Sequence, residues 1–307
     1  MAIITLGTMA FDAIETPFGK IDKIVGGSAT YVAYAASHLT KPLQQISIVG
    51  SDFPQEEMDE LKRRGVELTG VEIVPDQKSF FWSGKYHLDM NSRDTLITDL
   101  NVLSNFNPVV PEQYQGAEFL MLGNVMPSLQ MSVINQLRVR PKLIVLDTMN
   151  FWMESAMMDL LQVLTKIDVL MVNDSEVRQL SGEYSLVKGA KKILEMGPKF
   201  LVIKKGEHGA LLFHEDHVFF APALPLDDVF DPTGAGDAFA GGFIGHLART
   251  ENISFNNMKT AIIVGSALAS FCVEKFGPER LKEITKKEID ERLGQFVQLV
   301  NFDIDLV

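Results

Sequence analysis

The sequence predicts an α/β protein with a mostly parallel central sheet, helices on both of its faces, and a small separate β-sheet. Short apolar strands that alternate with amphipathic helical patterns predict the main body. Residues 11–25 and 71–102 interrupt that rhythm with short strands of alternating polarity and turn residues. We expect one domain over residues 1–307, in which these two segments form a β lid. Ordinary surface hairpins are the alternative for both segments.

The first elements follow the strand-then-helix rhythm. Ile3–Gly7 is strand-like, and Ser28–Thr40 is rich in small residues, as expected of a helix that packs closely on a sheet. Ile46–Gly50 predicts the next strand. Pro54, followed by acidic residues, begins a helix that Gly65 ends.

The rhythm continues through the second half of the chain. Four more apolar strands occur, each followed by a helical pattern: FLMLG, LIVLD, VLMVN and FLVIK. Residues Gly206–Ala223 predict a hairpin, and Thr285–Glu288 is a capping box that begins a helix near the C-terminus. The order of elements therefore predicts one sheet built largely from parallel strands.

The charge and composition exclude several classes of partner. A net charge of −12 argues against nucleic acid or an anionic membrane held by charge, although backbone amides can still bind a phosphate. The one cysteine, Cys272, cannot form an intrachain disulfide and suits a reducing compartment. We find no signal-peptide pattern and no apolar run that would span a bilayer, so we expect a cytoplasmic protein.

A glycine-rich turn is the most informative stretch of the chain. Asp231–Phe243 reads DPTGAGDAFAGGF, in which Gly234 and Gly236 permit unusual backbone angles just before a helical pattern. The first N–H groups of that helix, together with its dipole, would form an anion site. Asp237 would be repelled by a bound anion, so its presence suggests a base for a hydroxyl that attacks a phosphoryl group. A simple helix cap on a tight turn is the alternative.

This stretch resembles the C-terminal signature of the ribokinase-like (PfkB) family of carbohydrate and nucleoside kinases. Three further elements resemble the family in the same order. They are the glycine pair and helix at Gly26–Ala36, the N-x-x-E element at Asn173–Glu176, and the strand–turn–strand at Ile203–Phe213. The resemblance implies a Rossmann-like α/β/α sandwich with a β-sheet lid.

The resemblance also implies roles around the transferred phosphate. Asp237 would be the catalytic base, and the amides of Gly234, Ala235 and Gly236 would hold the γ-phosphate of ATP. Fixed amide dipoles suit this role because they need no reorganisation during the reaction.

Metal sites follow from the same resemblance. Asn173 and Glu176 would help to organise Mg²⁺, with Glu176 acting largely through water. Helix capping is the alternative for this pair. Backbone carbonyls of Asp231 and Thr233 would contribute to a K⁺ site, which is common in the family.

The nucleotide side is expected near the end of the strand FLVIK. At least one of Lys204 and Lys205 should face the crevice and meet nucleotide phosphates, or both are solvated strand-end lysines. We assign Lys205, Gly206 and Gly209 to nucleotide binding.

The acceptor side is expected at the first strand segment and the glycine pair. Asp12 matches the family's hydroxyl-binding aspartate, and Gly26 and Gly27 match the pair on which the substrate packs. Tyr31 stands where many ribose-specific members carry asparagine, which weakens the case for ribose itself. We therefore expect these four residues to bind a sugar or a nucleoside.

These expectations combine into a single hypothesis of function. The chain would be an ATP- and Mg²⁺-dependent phosphotransferase acting on an alcohol group, most simply a hydroxymethyl, of a sugar or nucleoside. A vitamin-precursor kinase of the same architecture and a non-catalytic ligand sensor are the alternatives. Aromatic residues of the lid such as Trp82 and Tyr86 would close over the substrate, pack within the lid, or join two lids in a homodimer.

Overall fold

The computed structural model describes residues 1–301, so the last six residues of the predicted domain lie outside the description. The strands of this part of the chain are β1 (Ile3–Leu6), β2 (Ala10–Thr16), β3 (Gly19–Gly26), β4 (Leu43–Gly50), β5 (Val66–Val74), β6 (Phe80–Tyr86), β7 (Arg93–Asp99), β8 (Phe119–Leu122), β9 (Leu143–Asp147), β10 (Val169–Asn173), β11 (Phe200–Lys204), β12 (Ala210–His214) and β13 (His217–Ala221).

The helices surround the sheet and are mostly short. They are α1 (Ser28–Ser37), α2 (Gln55–Arg63), α3 (Pro127–Gln136), α4 (Asn150–Ser155), α5 (Met157–Leu164), α6 (Asp174–Ser181), α7 (Leu186–Leu194), α8 (Ala235–Thr250), α9 (Phe255–Cys272), α10 (Glu279–Glu283) and α11 (Lys286–Leu299). Within residues 1–301, none of them combines the length and apolar character that a bilayer crossing requires.

The main sheet has nine strands in the order β13-β12-β11-β10-β9-β8-β1-β4-β5. All neighbours from β11 to β5 pair in parallel, and only the hairpin strands β12 and β13 run antiparallel. Strands β1, β8 and β9 are buried at every position, because helices cover both faces of the sheet. The predicted parallel sheet is confirmed, and the carboxyl ends of β9, β10 and β11 lie side by side.

A separate four-stranded sheet has the order β3-β2-β6-β7 and forms the predicted lid. The predicted lid segment 71–102 begins too early, because residues 71–74 belong to β5, where Ser47 pairs with Val71 and Gly50 with Val74. Strand β5 is an edge strand of the main sheet and is only partly covered along its length. Such an edge strand shows the same alternating polarity as a lid strand, which explains the wrong boundary.

Helices α1 and α8 pack against each other closely enough to exclude side chains at the contact. A Cβ added at Gly241 of α8 would lie 2.6 Å from the Val32 carbonyl oxygen of α1, and one at Gly245 would lie 3.2 Å from the Ala36 Cα. The small residues predicted for both helices are therefore needed for this approach. As a result, the turn before α8 lies next to the beginning of α1.

Candidate active site

The glycine-rich turn leads directly into α8. Gly234 is the N-cap residue with φ of 75°, a left-handed conformation that favours glycine. A side chain at Gly234 would also overlap the ring of Tyr31, which lies against it. The Ala235 N–H donates to the Pro232 carbonyl at 3.2 Å, whereas the Gly236 N–H, in the first helical turn, has no intrahelical acceptor. The start of α8 therefore offers backbone donors to an anion.

Asp237 lies in the first turn of α8, beside these donors. It keeps part of its surface open to solvent, but its surroundings remove enough water to raise the pKa of its carboxyl to about 7. The charge of Asp147 adds to that increase, whereas Lys204 and Arg93 oppose it. A carboxylate that titrates near neutral pH suits proton transfer, because it is both available and basic at the working pH.

Lys204 and Asp147 form an ion pair next to this turn. The Lys204 Nζ lies 2.8 Å and 2.6 Å from the two carboxylate oxygens of Asp147. Burial raises the pKa of Asp147, and Lys204 opposes that shift. Burial alone would lower the pKa of Lys204, but the nearby Asp147 carboxylate outweighs it, so the lysine keeps its charge.

Asn173 and Glu176 form a reciprocal capping box at the beginning of α6. The Asn173 side chain accepts a hydrogen bond from the Glu176 N–H at 2.8 Å, and the Asn173 N–H donates to Glu176 Oε2 at 2.7 Å. Glu176 is buried, and the loss of water raises the pKa of its carboxyl. The capping alternative for this pair is thus present in the structure, and it fixes the carboxylate at the end of β10.

The turn between β11 and β12 carries the residues assigned to the nucleotide. Gly206 and Gly209 have φ of 55° and 87°, so both use backbone conformations that favour glycine. The Lys205 N–H donates to the Gly209 carbonyl at 2.8 Å, and within residues 1–301 the Lys205 side chain forms no ion pair. A side chain at Gly206 would overlap the amide oxygen of Asn91, so the lid loop touches this turn.

Asp12 lies on the lid strand β2 and points at the glycine pair. A side chain at Gly26 would overlap its carboxylate, and one at Gly27, where φ is 93°, would lie 2.5 Å from the Thr8 carbonyl oxygen. Burial raises the pKa of Asp12 to about 8, the charges of Asp231 and Asp237 add to it, and the Gly27 N–H opposes it. With this pKa the buried carboxyl is mostly protonated at neutral pH, so it can both donate and accept hydrogen bonds.

Tyr31 connects the acceptor side with the phosphate side. Its ring lies on Gly234, and its hydroxyl is buried without a hydrogen-bond partner in the described part of the chain. Burial raises the pKa of Tyr31, and the charges of Asp231 and Asp12 add to the increase. A buried hydroxyl without a partner is costly, so it is well placed to bond a ligand.

Hydrogen bonds of Asp231 and Thr233 stabilise the glycine-rich turn. The Asp231 carboxylate accepts from the Thr233 N–H at 2.8 Å and from the Gly277 N–H at 2.9 Å, and it is fully buried. The Thr233 hydroxyl donates to the Tyr86 hydroxyl at 3.2 Å, which joins the lid to the turn. The Thr233 carbonyl accepts a weak bond from the Cys272 Sγ at 3.6 Å.

Two residues of this site were assigned no role from the sequence. Asp147 ends β9, and the rule that selected Asn173, a polar residue at the carboxyl end of a buried strand, also applies to it. Arg93 begins β7, and its charge lowers the pKa values of Asp12 and Asp237. Only the register of the lid, in which Arg93 pairs with Tyr86, brings this arginine to the site.

Comparison with known proteins identifies the family. A family model described as pfkB family carbohydrate kinase matches residues 5–284. The chain belongs to this family. Its membership confirms the resemblance and the fold that the resemblance implied, and it supports the prediction of a kinase for sugars or nucleosides.

Relatives and solved structures match this chain over nearly its whole length. A cytidine kinase of Thermococcus kodakarensis is 28% identical, with 93% of this chain and 96% of the relative covered. The crystal structure of a nucleoside kinase from Methanocaldococcus jannaschii has a TM-score of 0.76 at 20% identity, covering 96% of this chain and 98% of that one. A structure of aminoimidazole riboside kinase from Salmonella enterica, complexed with aminoimidazole riboside and an ATP analogue, also has a TM-score of 0.76 at 20% identity, covering 95% of this chain and 100% of that one.

In this pfkB-family chain, the predicted site residues gather at one edge of the main sheet beneath the lid. The turn of Gly234 and Asp237 lies beside the ends of β9 and β11, and Tyr31 joins it to the Asp12 side. Of the two lysines considered, Lys204 is the one beside the turn. The assignment of Lys205 to the nucleotide stays a prediction.

Proposed function

We propose that this chain transfers the γ-phosphoryl group of ATP to the hydroxymethyl group of a nucleoside, with Asp237 as the general base. The observation that carries the proposal is the position of Asp237 at the amino end of α8, where its pKa is raised to about 7 beside free backbone donors. The cytidine kinase relative, which matches over nearly the full length of both chains, supports a nucleoside as the acceptor.

In the proposed reaction, the acceptor hydroxyl lies between Asp237 and the γ-phosphorus. Asp237 accepts the hydroxyl proton as the oxygen attacks, the bond from phosphorus to that oxygen forms, and the bond to ADP breaks. Because burial has already raised the pKa of this carboxyl, it can take the proton near neutral pH.

Backbone amides stabilise the charge that develops on the transferred group. We assign this role to Gly234 and Gly236, because the Ala235 N–H, also predicted for it, donates to Pro232. Amides fixed at a helix start act without reorganisation, which makes them effective in a site with little water.

The residues fit Mg²⁺ bound mainly through water and phosphate. Within residues 1–301 no group of three or more His, Cys, Asp or Glu side chains is arranged to hold a metal ion. Glu176 offers a buried carboxylate at the end of β10, and Mg²⁺ commonly binds through one or two carboxylates, several waters and substrate phosphates. When bound, Mg²⁺ neutralises charge on the nucleotide phosphates. We assign Glu176, with Asn173 holding it in place, to orienting the metal-bound water.

On the acceptor side, Asp12 accepts hydrogen bonds from sugar hydroxyls that pack on Gly26 and Gly27. We assign the Tyr31 hydroxyl, which has no hydrogen-bond partner within residues 1–301, to bonding the same ligand.

Three further proposals concern the surroundings of the site. The carbonyls of Asp231 and Thr233 contribute to a K⁺ site in the glycine-rich turn. Two lids associate in a homodimer, supported by the exposed Leu96 and Ile97 on β7. We place the protein in the cytoplasm, which agrees with its one cysteine being buried and free.

The first test is ADP release with ATP, Mg²⁺ and K⁺ against a panel of nucleosides, pentoses, hexoses and hydroxymethylated vitamin precursors. We expect release that depends on the acceptor and is fastest with a nucleoside. Turnover with a vitamin precursor only would contradict the proposed acceptor. ATP binding without turnover of any compound would indicate a ligand sensor and contradict the proposed reaction. Omitting K⁺ in the same assay tests the K⁺ site.

A further inference from the structure

The ion pair between Lys204 and Asp147 lies where the transferred phosphoryl group is expected. We propose that Lys204 contacts the γ-phosphoryl group during transfer and that Asp147 is the positioning residue that holds its ammonium group there. This inference rests on the proposed function, because it needs a nucleotide whose γ-phosphate binds at the start of α8.

The position of the lysine is fixed from two sides. A Cβ added at Gly236 would lie 3.0 Å from the Lys204 Nζ and 4.0 Å from Asp147 Oδ2, so the ammonium borders the first turn of α8. The side chain is 20% exposed, and that of Asp147 is 9% exposed. The pair is therefore too enclosed to be an ordinary surface ion pair, but open enough for a ligand to reach the ammonium.

The register of the sheet explains how the lysine reaches this place. Lys204 of β11 pairs with Asn173 of β10, and Asp147 ends β9 on the other side of β10. All three strands end at the same edge, which is where open α/β sheets bind ligands. Lys205 comes one residue later, and its side chain joins no ion pair in the described chain.

The charges around the pair keep the lysine protonated. Asp147, Glu176 and Asp237 all act on Lys204 and raise its pKa, so the ammonium stays charged at any physiological pH. The lysine also lowers the pKa of Asp237, in line with the position of its Nζ beside the first turn of α8. Of the three donors of the Lys204 ammonium, two bond Asp147, so the third can hydrogen bond a phosphoryl oxygen beside the free backbone amides without the lysine leaving Asp147.

The proposed step moves no proton to or from Lys204. The acceptor proton goes to Asp237, the phosphoryl group leaves ADP and bonds to the acceptor oxygen, and the ammonium only donates hydrogen bonds to the phosphoryl oxygens. Lys204 should therefore strengthen the binding of nucleotides that carry a γ-phosphate and contribute little to the binding of those that do not.

A purely structural ion pair is the competing explanation. Removing one partner of a buried pair leaves the other charge without compensation and destabilises the fold. The substitution Lys204→Met therefore needs the double variant Lys204→Met/Asp147→Asn beside it, which removes both charges. Lys166→Met is the matched control, since Lys166 is an exposed lysine just before β10, at the sheet edge opposite the site.

The experiment measures binding of ADP and of a non-hydrolysable ATP analogue, each with Mg²⁺, by calorimetry, together with kcat and KM. We expect Lys204→Met and the double variant to bind the ATP analogue at least about tenfold more weakly and ADP within about threefold of wild type. Losing one preorganised donor should lower kcat by about 10²–10³-fold. Lys204→Arg should recover part of the analogue binding and part of kcat, and Lys166→Met should match the wild type.

Equal losses for ADP and the ATP analogue, or a double variant with unchanged kcat, would overturn the proposal for Lys204. The binding measurement needs no acceptor, so it tests Lys204 even if no acceptor is turned over. A wild-type protein that binds the ATP analogue but releases no ADP with any acceptor would instead contradict the proposed function.

Discussion

The two sides of the site are built differently. The phosphate side stands on the main sheet, where β9 is buried at all five of its positions. The acceptor side includes the lid, where β7 is exposed at all seven of its positions. Rigid, buried strands can hold a base and a lysine within tight limits, whereas a lid strand can move with its ligand. The difference suggests that chemistry belongs to the sheet edge and that choice of acceptor belongs to the lid side.

The cations near the acidic side chains also differ between the two sides of the site. On the sheet side, the acids have a cation bound in place, since Lys204 lies at 2.6 Å from Asp147. On the lid side, Asp12 forms no ion pair within residues 1–301, and Arg93 acts on it only as a charge that lowers its pKa. We therefore expect substitutions at the sheet edge to change kcat and those on the lid side to change KM for the acceptor.

The largest effect is expected at the base. Asp237→Asn removes the proton acceptor and should lower kcat by about 10²–10⁴-fold, as measured by ADP release at saturating acceptor. Asp159→Asn is the matched control, because Asp159 is an exposed acid in the first turn of α5 and lies outside the site. A similar loss in both variants would contradict a specific role for Asp237.

A smaller effect is expected on the lid side. Asp12→Asn replaces one carboxyl oxygen by an amino group that cannot accept a hydrogen bond and should raise KM for the acceptor by about 10–100-fold, since leaving a buried polar group without its partner costs about 1–3 kcal/mol. Binding of ADP should stay within about twofold of wild type. Weaker ADP binding would show that Asp12 also stabilises the nucleotide side, and it would contradict the proposed division between sheet edge and lid side.

Tyr31 lies on the boundary between the two sides, and its hydroxyl should matter only to the acceptor. Because that hydroxyl has no partner in the described chain, Tyr31→Phe should leave the free protein as stable as wild type or more so. In steady-state kinetics it should raise KM for the acceptor by about two- to tenfold. A drop in melting temperature would show that the hydroxyl bonds the protein itself.

The smallest expected effect concerns stability. Burial raises the folded pKa of Asp237 to about 7 from an ordinary value of 3.8, so the folded state binds more protons than the unfolded one. Stability therefore falls as pH rises from about 4 to about 7, and the cost stays constant above that range. Asp237→Asn removes this cost.

The ligand-free Asp237→Asn variant should melt on the order of a few °C above wild type at pH 8, with a smaller gain at pH 5. Thermal unfolding followed by circular dichroism measures both values. A gain that is equal at the two pH values, or greatest at pH 5, would show that the carboxyl is not held at a raised pKa.

Much of the fold follows from the sequence, because buried parallel strands show as continuous apolar runs such as those of β8 and β9. The boundary of the lid does not, because the edge strand Val66–Val74 has the same alternating polarity as a lid strand. At the site, the unusual backbone conformation of Gly234 could be predicted, because this glycine stands just before a helical pattern. Which of Lys204 and Lys205 lies beside the glycine-rich turn could not be predicted, since it depends on which side of β11 faces α8.

Arg93 shows a second limit of the sequence. Nothing near it in the chain marks it as part of a site, and only the pairing of β6 with β7 brings its charge to Asp12 and Asp237. Contacts between distant segments of this kind depend on register, which a single sequence specifies weakly in a small, exposed sheet.

The most direct test compares kcat and acceptor KM of Asp237→Asn and Asp12→Asn in one assay, at saturating ATP and Mg²⁺. If the sheet edge carries the chemistry, Asp237→Asn loses at least about 100-fold in kcat even at saturating acceptor. Asp12→Asn then keeps kcat within about tenfold of wild type and raises KM. Equal losses of kcat in the two variants, or an Asp237→Asn variant with wild-type turnover, would contradict the division of roles between sheet and lid.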